Sequence, residues 1–178
     1  MEDEISVLIP EKQIIDRIRE IADDINKTYA GQPVHLIGIL KGSVFFICEL
    51  AKHITLPTTM DFIQVSSYGD GTKSSGVVRI SKDTDETIEG KNVFVVEDIV
   101  DSGRTLSYLL NLLKARNPKT LKLCTLLDKP SRRVVEIHPD YVGFEVPDKF
   151  VVGFGLDFAQ KYRNLPYIGV VEKIGGEE

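Results

Sequence analysis

Apolar residues recur along the chain at two spacings, and each spacing predicts an element type. Ile14, Ile18, Ile21 and Ile25 fall three or four residues apart, so 11–29 reads as an amphipathic helix with Pro10 suited to its first turn. The run VHLIGIL at 34–40 is continuously apolar and reads as a buried strand, followed by an apolar helix over 43–53. Residues 60–66 and 76–80 read as strands around the polar stretch 67–75, which reads as a mobile loop. A strand over 92–96 precedes a helix over 102–116, with Leu106, Leu109, Leu110 and Leu113 on one face. Strands follow at 121–127, 141–144 and 151–154, with a last one at 166–171. Strands alternating with helices predict an α/β fold, a mostly parallel twisted sheet flanked by helices.

The junction after the strand at 92–96 carries the densest candidate chemistry. Glu97 and Asp98 are adjacent acids, Asp101 follows, and Ser102, Gly103, Arg104 and Thr105 open the next helix. Ligands of parallel sheets gather beyond the C-terminal strand ends. A helix start offers unpaired N–H groups and a positive dipole end, which suit a phosphate. The two adjacent acids suit sugar hydroxyls or a hard cation such as Mg²⁺. Helix capping by Asp101 and Ser102 would account for one acid, not for three beside a hydroxyl-rich turn.

Composition narrows the class. A chain of 178 residues, 42% hydrophobic, can bury one substantial core. A net charge of −5 argues against a nucleic-acid surface, though a local site can still take anions. Cys48 and Cys124 lie in apolar segments and read as two buried free thiols. The acidic start MEDEI does not read as a signal peptide, and no apolar run is long enough to span a bilayer. The expectation is a cytoplasmic protein without a membrane partner. His35, His53 and His138 form no zinc-type spacing, and neither GxxxxGK[ST] nor GxGxxG occurs.

The EDIVDSGRTL stretch resembles the phosphoribosyl pyrophosphate (PRPP) loop of type I phosphoribosyltransferases. Further segments narrow the resemblance to the hypoxanthine-guanine phosphoribosyltransferases. They are Leu40-Lys41-Gly42-Ser43, Ser66-Ser67-Tyr68, Leu127-Asp128-Lys129 and Pro147 to Gly153, running on to Asp157 and Tyr162-Arg163. The match covers nearly the whole chain in the family's order. It implies a single domain with a core over about 30–145 and a small hood built from the two chain ends. The implied reaction joins hypoxanthine or guanine to PRPP with Mg²⁺, giving a nucleoside monophosphate and pyrophosphate. The family forms homodimers and homotetramers. The competing reading is a PRPP- or nucleotide-sensing regulator of the same fold. The chain carries neither an added DNA-binding segment nor a basic excess, and it keeps Lys41, Asp101 and Lys129, which a sensor does not need.

The resemblance also implies residue roles. Asp101 is the general base or acid at the purine N7, while Glu97, Asp98, Asp101, Ser102, Gly103, Arg104 and Thr105 bind PRPP. Arg104 occupies a position that varies in the family. Lys41 and Gly42, with an expected cis peptide at Leu40–Lys41, meet pyrophosphate together with Ser67, Tyr68 and Arg163. The loop begun by Ser67 and Tyr68 is expected to fold over PRPP as a lid. Lys129 donates to the purine O6 and so favours 6-oxo over 6-amino purines. Phe150 stacks on the base, Val151 contributes backbone contacts, and Asp157 reads the 2-position edge. Glu97 and Asp98 hold Mg²⁺, and Asp157 a second ion.

Overall fold

The computed structural model describes residues 3–68 and 77–173. A strand β1 (Glu4–Ile9) leads into helix α1 (Glu11–Thr28), then β2 (Val34–Ile39) and α2 (Val44–His53). Next come β3 (Thr58–Tyr68), β4 (Val77–Lys82), β5 (Asn92–Val100) and α3 (Arg104–Lys114). The chain continues through β6 (Thr120–Asp128), a 3₁₀ turn (Pro130–Arg132), β7 (Tyr141–Glu145), β8 (Val151–Val152) and β9 (Ile168–Lys173). Six strands form one sheet in the order β4-β3-β2-β5-β6-β7. All its pairs are parallel except β3–β4 at the edge. Both chain ends build the hood, a second antiparallel sheet in the order β1-β9-β8.

The apolar runs form strands because each feeds two cores. In β5, Phe94 and Val96 join the cluster that contains Ile14, Ile18 and Ile25 of α1 and Phe46 and Leu50 of α2. Val93 and Val95 turn the other way, onto Leu106, Leu109 and Leu113 of α3. Two-residue alternation with both faces covered explains why the run carries no polar position until Glu97.

Several expectations shift. The strand predicted to end at Val96 runs on to Val100, so Glu97 and Asp98 lie on β5 rather than in a loop. Its pairing with β2 stops at Val96, but its pairing with β6 continues to Val100↔Asp128. The ladder to β6 holds these acids extended, while β2 ends at Ile39, before the cis Leu40–Lys41 peptide. Helix α3 starts at Arg104, not Ser102. Gly103 sits at its cap with φ 81° and no capping side chain, so Asp101 and Ser102 are not caps of the expected kind. Pro10 precedes α1 rather than entering its first turn. Cys48 is exposed, because Phe46, Ile47 and Leu50 take the buried side of α2; Cys124 is buried. Ser67 and Tyr68 belong to β3 instead of opening a loop, and the lid expected beyond them lies outside the described residues. Among the described residues, no helix is long and apolar enough to cross a membrane.

Candidate active site

The C-terminal ends of β2, β5 and β6 carry Lys41, Asp98 with Asp101, and Lys129 respectively. A cavity of about 520 Å³ opens there, lined by Asp98, Asp101, Lys129, Phe150, Val151 and Asp157 among others. A smaller hollow of about 170 Å³, bounded by Glu97, Asp101 and the turn Ser102–Leu106, adjoins it and shares Ile99 and Asp101. The acidic strand end and Lys129 therefore line the larger cavity, and the hydroxyl-rich turn lines the smaller one beside it, with Ile99 and Asp101 common to both.

The acids differ in their surroundings. Glu97 Oε1 accepts the Asp98 N–H at 3.0 Å, and Asp98 Oδ1 accepts the Ile99 N–H at 2.7 Å. Burial pushes the Glu97 carboxyl well above its ordinary range, and the Asp98 carboxylate beside it adds to that push. Asp98 lies against Gly42, where a Cβ would fall 1.6 Å from Oδ2. Asp101 presents a different case. Its Oδ1 is buried, and among the described residues no donor reaches it within hydrogen-bond distance. The nearest cation, Arg132 Nε, stands 3.6 Å away. A carboxylate oxygen withdrawn from water and left without a donor is costly unless a ligand supplies one.

Lys129 is buried, and its Nζ donates to the Lys149 carbonyl at 2.8 Å, with Asp148 at 4.0 Å. Two of its three protons are left for other acceptors in the cleft. Phe150 is 54% exposed, although its ring meets Phe158 edge-on at 5.4 Å, so a face of this large aromatic group is open. Val151 is buried and pairs with Val170 of the hood.

Asp157 and Arg163 lie in the segment between β8 and β9. Arg163 Nη2 approaches Asp157 Oδ1 at 2.7 Å, Nη1 donates to the Gly155 carbonyl at 2.8 Å, and the Gln160 N–H donates to Asp157 Oδ2 at 2.7 Å. Lys41 Nζ reaches Gln160 Oε1 at 3.3 Å. Phe154, Ala159, Gln160 and Tyr162 all have positive φ, a costly concentration for non-glycine residues next to a cleft. Ser67 and Tyr68 are the last residues of β3. Arg104 is exposed on the rim of the smaller hollow.

Arg132 and Asp148, which carried no role in the sequence, also line the larger cavity and lie 3.8 Å apart. The available signal was their position, one just after Lys129 and the other just before Phe150. Among the described residues, no three acids, histidines or cysteines come together as a metal cage. Glu97 and Asp98 supply a two-carboxylate donor set, and Asp157 is already engaged by Arg163.

Comparison with known proteins identifies the family. Residues 8–159 match the phosphoribosyl transferase domain model. The chain is 51% identical to the hypoxanthine-guanine phosphoribosyltransferase of Bacillus subtilis (strain 168), over 93% of this chain and 92% of that protein. It is 53% identical to the bifunctional protein TilS/HprT of Listeria monocytogenes, over 93% of this chain but only 26% of the longer relative. A crystal structure of a hypoxanthine-guanine phosphoribosyltransferase from Bacillus anthracis superposes with a TM-score of 0.90 at 48% identity, covering 96% of this chain and 99% of that one. With the family's model spanning most of the chain and half of all positions shared with its members, the chain belongs to the phosphoribosyl transferase family, in its hypoxanthine-guanine phosphoribosyltransferase branch.

Proposed function

We propose that this chain transfers the 5-phosphoribosyl group of PRPP to hypoxanthine or guanine, giving IMP or GMP and pyrophosphate, with Mg²⁺ as cofactor. The observation that carries the reading is one cavity lined together by Asp98, Asp101, Lys129 and Phe150. A ribosyl group between them directs its phosphate to the adjoining Ser102–Thr105 hollow and its C1′ toward the base.

In the reaction, the bond from C1′ to a pyrophosphate oxygen breaks as the bond to the purine nitrogen forms. Positive charge builds at C1′, and the nearby carboxylates of Glu97 and Asp98 stabilise it. Asp101 accepts the N7 proton of the incoming base, and the buried Oδ1 gains the donor it lacks. Lys129 donates to O6; a 6-amino group has no matching acceptor there. Phe150 stacks on the ring, and Val151 and Asp157 meet its 2-position edge. Lys41, Gly42, Ser67, Tyr68 and Arg163 receive the pyrophosphate, and Ser102, Gly103, Arg104 and Thr105 the 5′-phosphate.

Glu97 and Asp98 fit Mg²⁺ because this ion takes one or two protein carboxylates and completes its shell with phosphate oxygens and water. Asp157 would hold a second ion if Arg163 turned from it to the pyrophosphate. When bound, Mg²⁺ neutralises the charge that develops on the leaving pyrophosphate.

The domain is read as one unit with its core over about 30–145, acting in the cytoplasm as a homodimer or homotetramer. Phe45, 42% exposed on α2, gives an apolar position for such a contact. Turnover with PRPP, Mg²⁺ and a panel of hypoxanthine, guanine, xanthine and adenine tests the function. IMP or GMP formation is expected, and no product from either 6-oxopurine would overturn it.

A further inference from the structure

The segment after Lys129 makes contacts that the reaction scheme above does not use. Arg133 is 14% exposed in its side chain, and each nitrogen of its guanidinium fork has a different partner. Nε donates to the Asp101 carbonyl at 3.1 Å, Nη1 donates to the Ile137 carbonyl at 2.6 Å, and Nη2 pairs with the Asp128 carboxylate. The backbone of the same segment reinforces this arrangement. The N–H groups of Val134 and Val135 both donate to the Ser102 carbonyl, at 3.0 and 3.1 Å, and the Lys129 N–H donates to the Val100 carbonyl at 3.0 Å. Carbonyls before, at and after the Asp101 side chain are thus all held by one stretch, 129–135. At the next residue, a Cβ on Gly103 would lie 3.0 Å from Ile137 Cδ1 and 3.3 Å from Arg133 Cδ. The turn is therefore packed against this support as well as bonded to it.

We propose that Arg133, oriented by Asp128, is a positioning residue: it fixes the peptide that carries Asp101, and thereby the reach of the Asp101 carboxyl into the cleft. The assignment rests on the reading of Asp101 as the group that handles the purine proton. A planar fork with three directed bonds defines one orientation of the peptide it holds. A lysine ammonium has the charge without the fork and leaves at least one of the three acceptors unmet. Because the support begins at Lys129, it also ties the residue expected at the purine O6 to the one expected at N7. A displacement of about 1 Å at the proton acceptor is enough to cost on the order of a hundredfold in rate. The competing description is a buried ion pair that only stabilises the fold.

A double-mutant cycle separates the two. Steady-state kcat, corrected for the folded fraction from urea unfolding, is measured for wild type, Arg133→Met, Asp101→Asn and the double variant. If Arg133 acts through Asp101, Arg133→Met lowers kcat by about tenfold or more alone and by less than about twofold in the Asp101→Asn background. A loss of equal size in both backgrounds overturns the positioning role and leaves the Asp101 reading intact. An unchanged kcat in Asp101→Asn alone overturns that reading, and the positioning role with it. Should Arg133→Met fail to fold, Arg133→Lys takes its place in the cycle with the same criteria. Asp128→Asn keeps an acceptor oxygen for Nη2, so it should retain kcat within about threefold, whereas Asp128→Ala should lose as much as the Arg133 variant. Equal activity in the two Asp128 variants also counts against the proposal.

Discussion

Asp98 occupies the space where a side chain on Gly42 would begin: a Cβ on Gly42 would lie 1.6 Å from Asp98 Oδ2. The turn after β2 and the acidic end of β5 therefore approach too closely for a side chain at position 42. Gly42→Ala must displace Asp98, the Lys41–Gly42 turn, or both. A fall in kcat/KM for PRPP on the order of a hundredfold is expected, with a much smaller change in urea midpoint. Steady-state kinetics at saturating guanine checks it.

Asp101→Asn removes the proposed proton acceptor and keeps the shape. Turnover should fall by roughly 10²–10⁴-fold, the range for a general base, while thermal unfolding stays close to wild type. Unchanged turnover would remove Asp101 from the chemistry.

Lys129→Ala deletes the donor expected at O6. The KM for guanine should rise more than the KM for PRPP, and equal effects on both would argue against base recognition. The substitution also strands the Lys149 carbonyl, which accepts from Nζ at 2.8 Å. A stability loss of about 1–3 kcal/mol should therefore accompany it.

Asp61 gives a pH-dependent prediction away from the cleft. Burial alone would raise its pKa, but N–H donors from Phe62, Asp85 and Glu86, with the Lys82 ammonium nearby, bring it below the ordinary 3.8. A depressed folded value means that the stabilisation is present above 3.8 and is lost as pH falls through the lower folded value. Asp61→Asn should thus lower Tm at neutral pH, and the gap to wild type should narrow in acid. Calorimetry across that range tests the sign; a gap that widens in acid would contradict it.

The central sheet was legible because β2 and β5 are apolar on both faces, which a two-residue period with two cores requires. Helix α1 was legible because four isoleucines keep one period, and all four are buried. The extension of β5 through Glu97 and Asp98 was not. Acids normally mark a loop, and only the ladder to β6 shows that backbone pairing persists past the end of β2. Strand β1 was also missed, since its pairing partner β9 lies at the far end of the chain. Within the candidate site, the places of Asp101 and Lys129 after apolar strands pointed to them, and both line the larger cavity. Arg133 could not be found this way, because the contact that matters, to the Asp101 carbonyl, reaches a different part of the chain, and a run of two arginines ordinarily faces water.

The most direct test is a crystal structure with GMP and Mg²⁺ bound. The 5′-phosphate should lie on the Ser102–Thr105 turn, the ribose beside Glu97 and Asp98, and the guanine between Phe150 and Lys129 Nζ, with Asp101 facing N7. A nucleotide whose phosphate sits on that turn while its base points away from Lys129, or whose base enters a different cleft, would contradict the account.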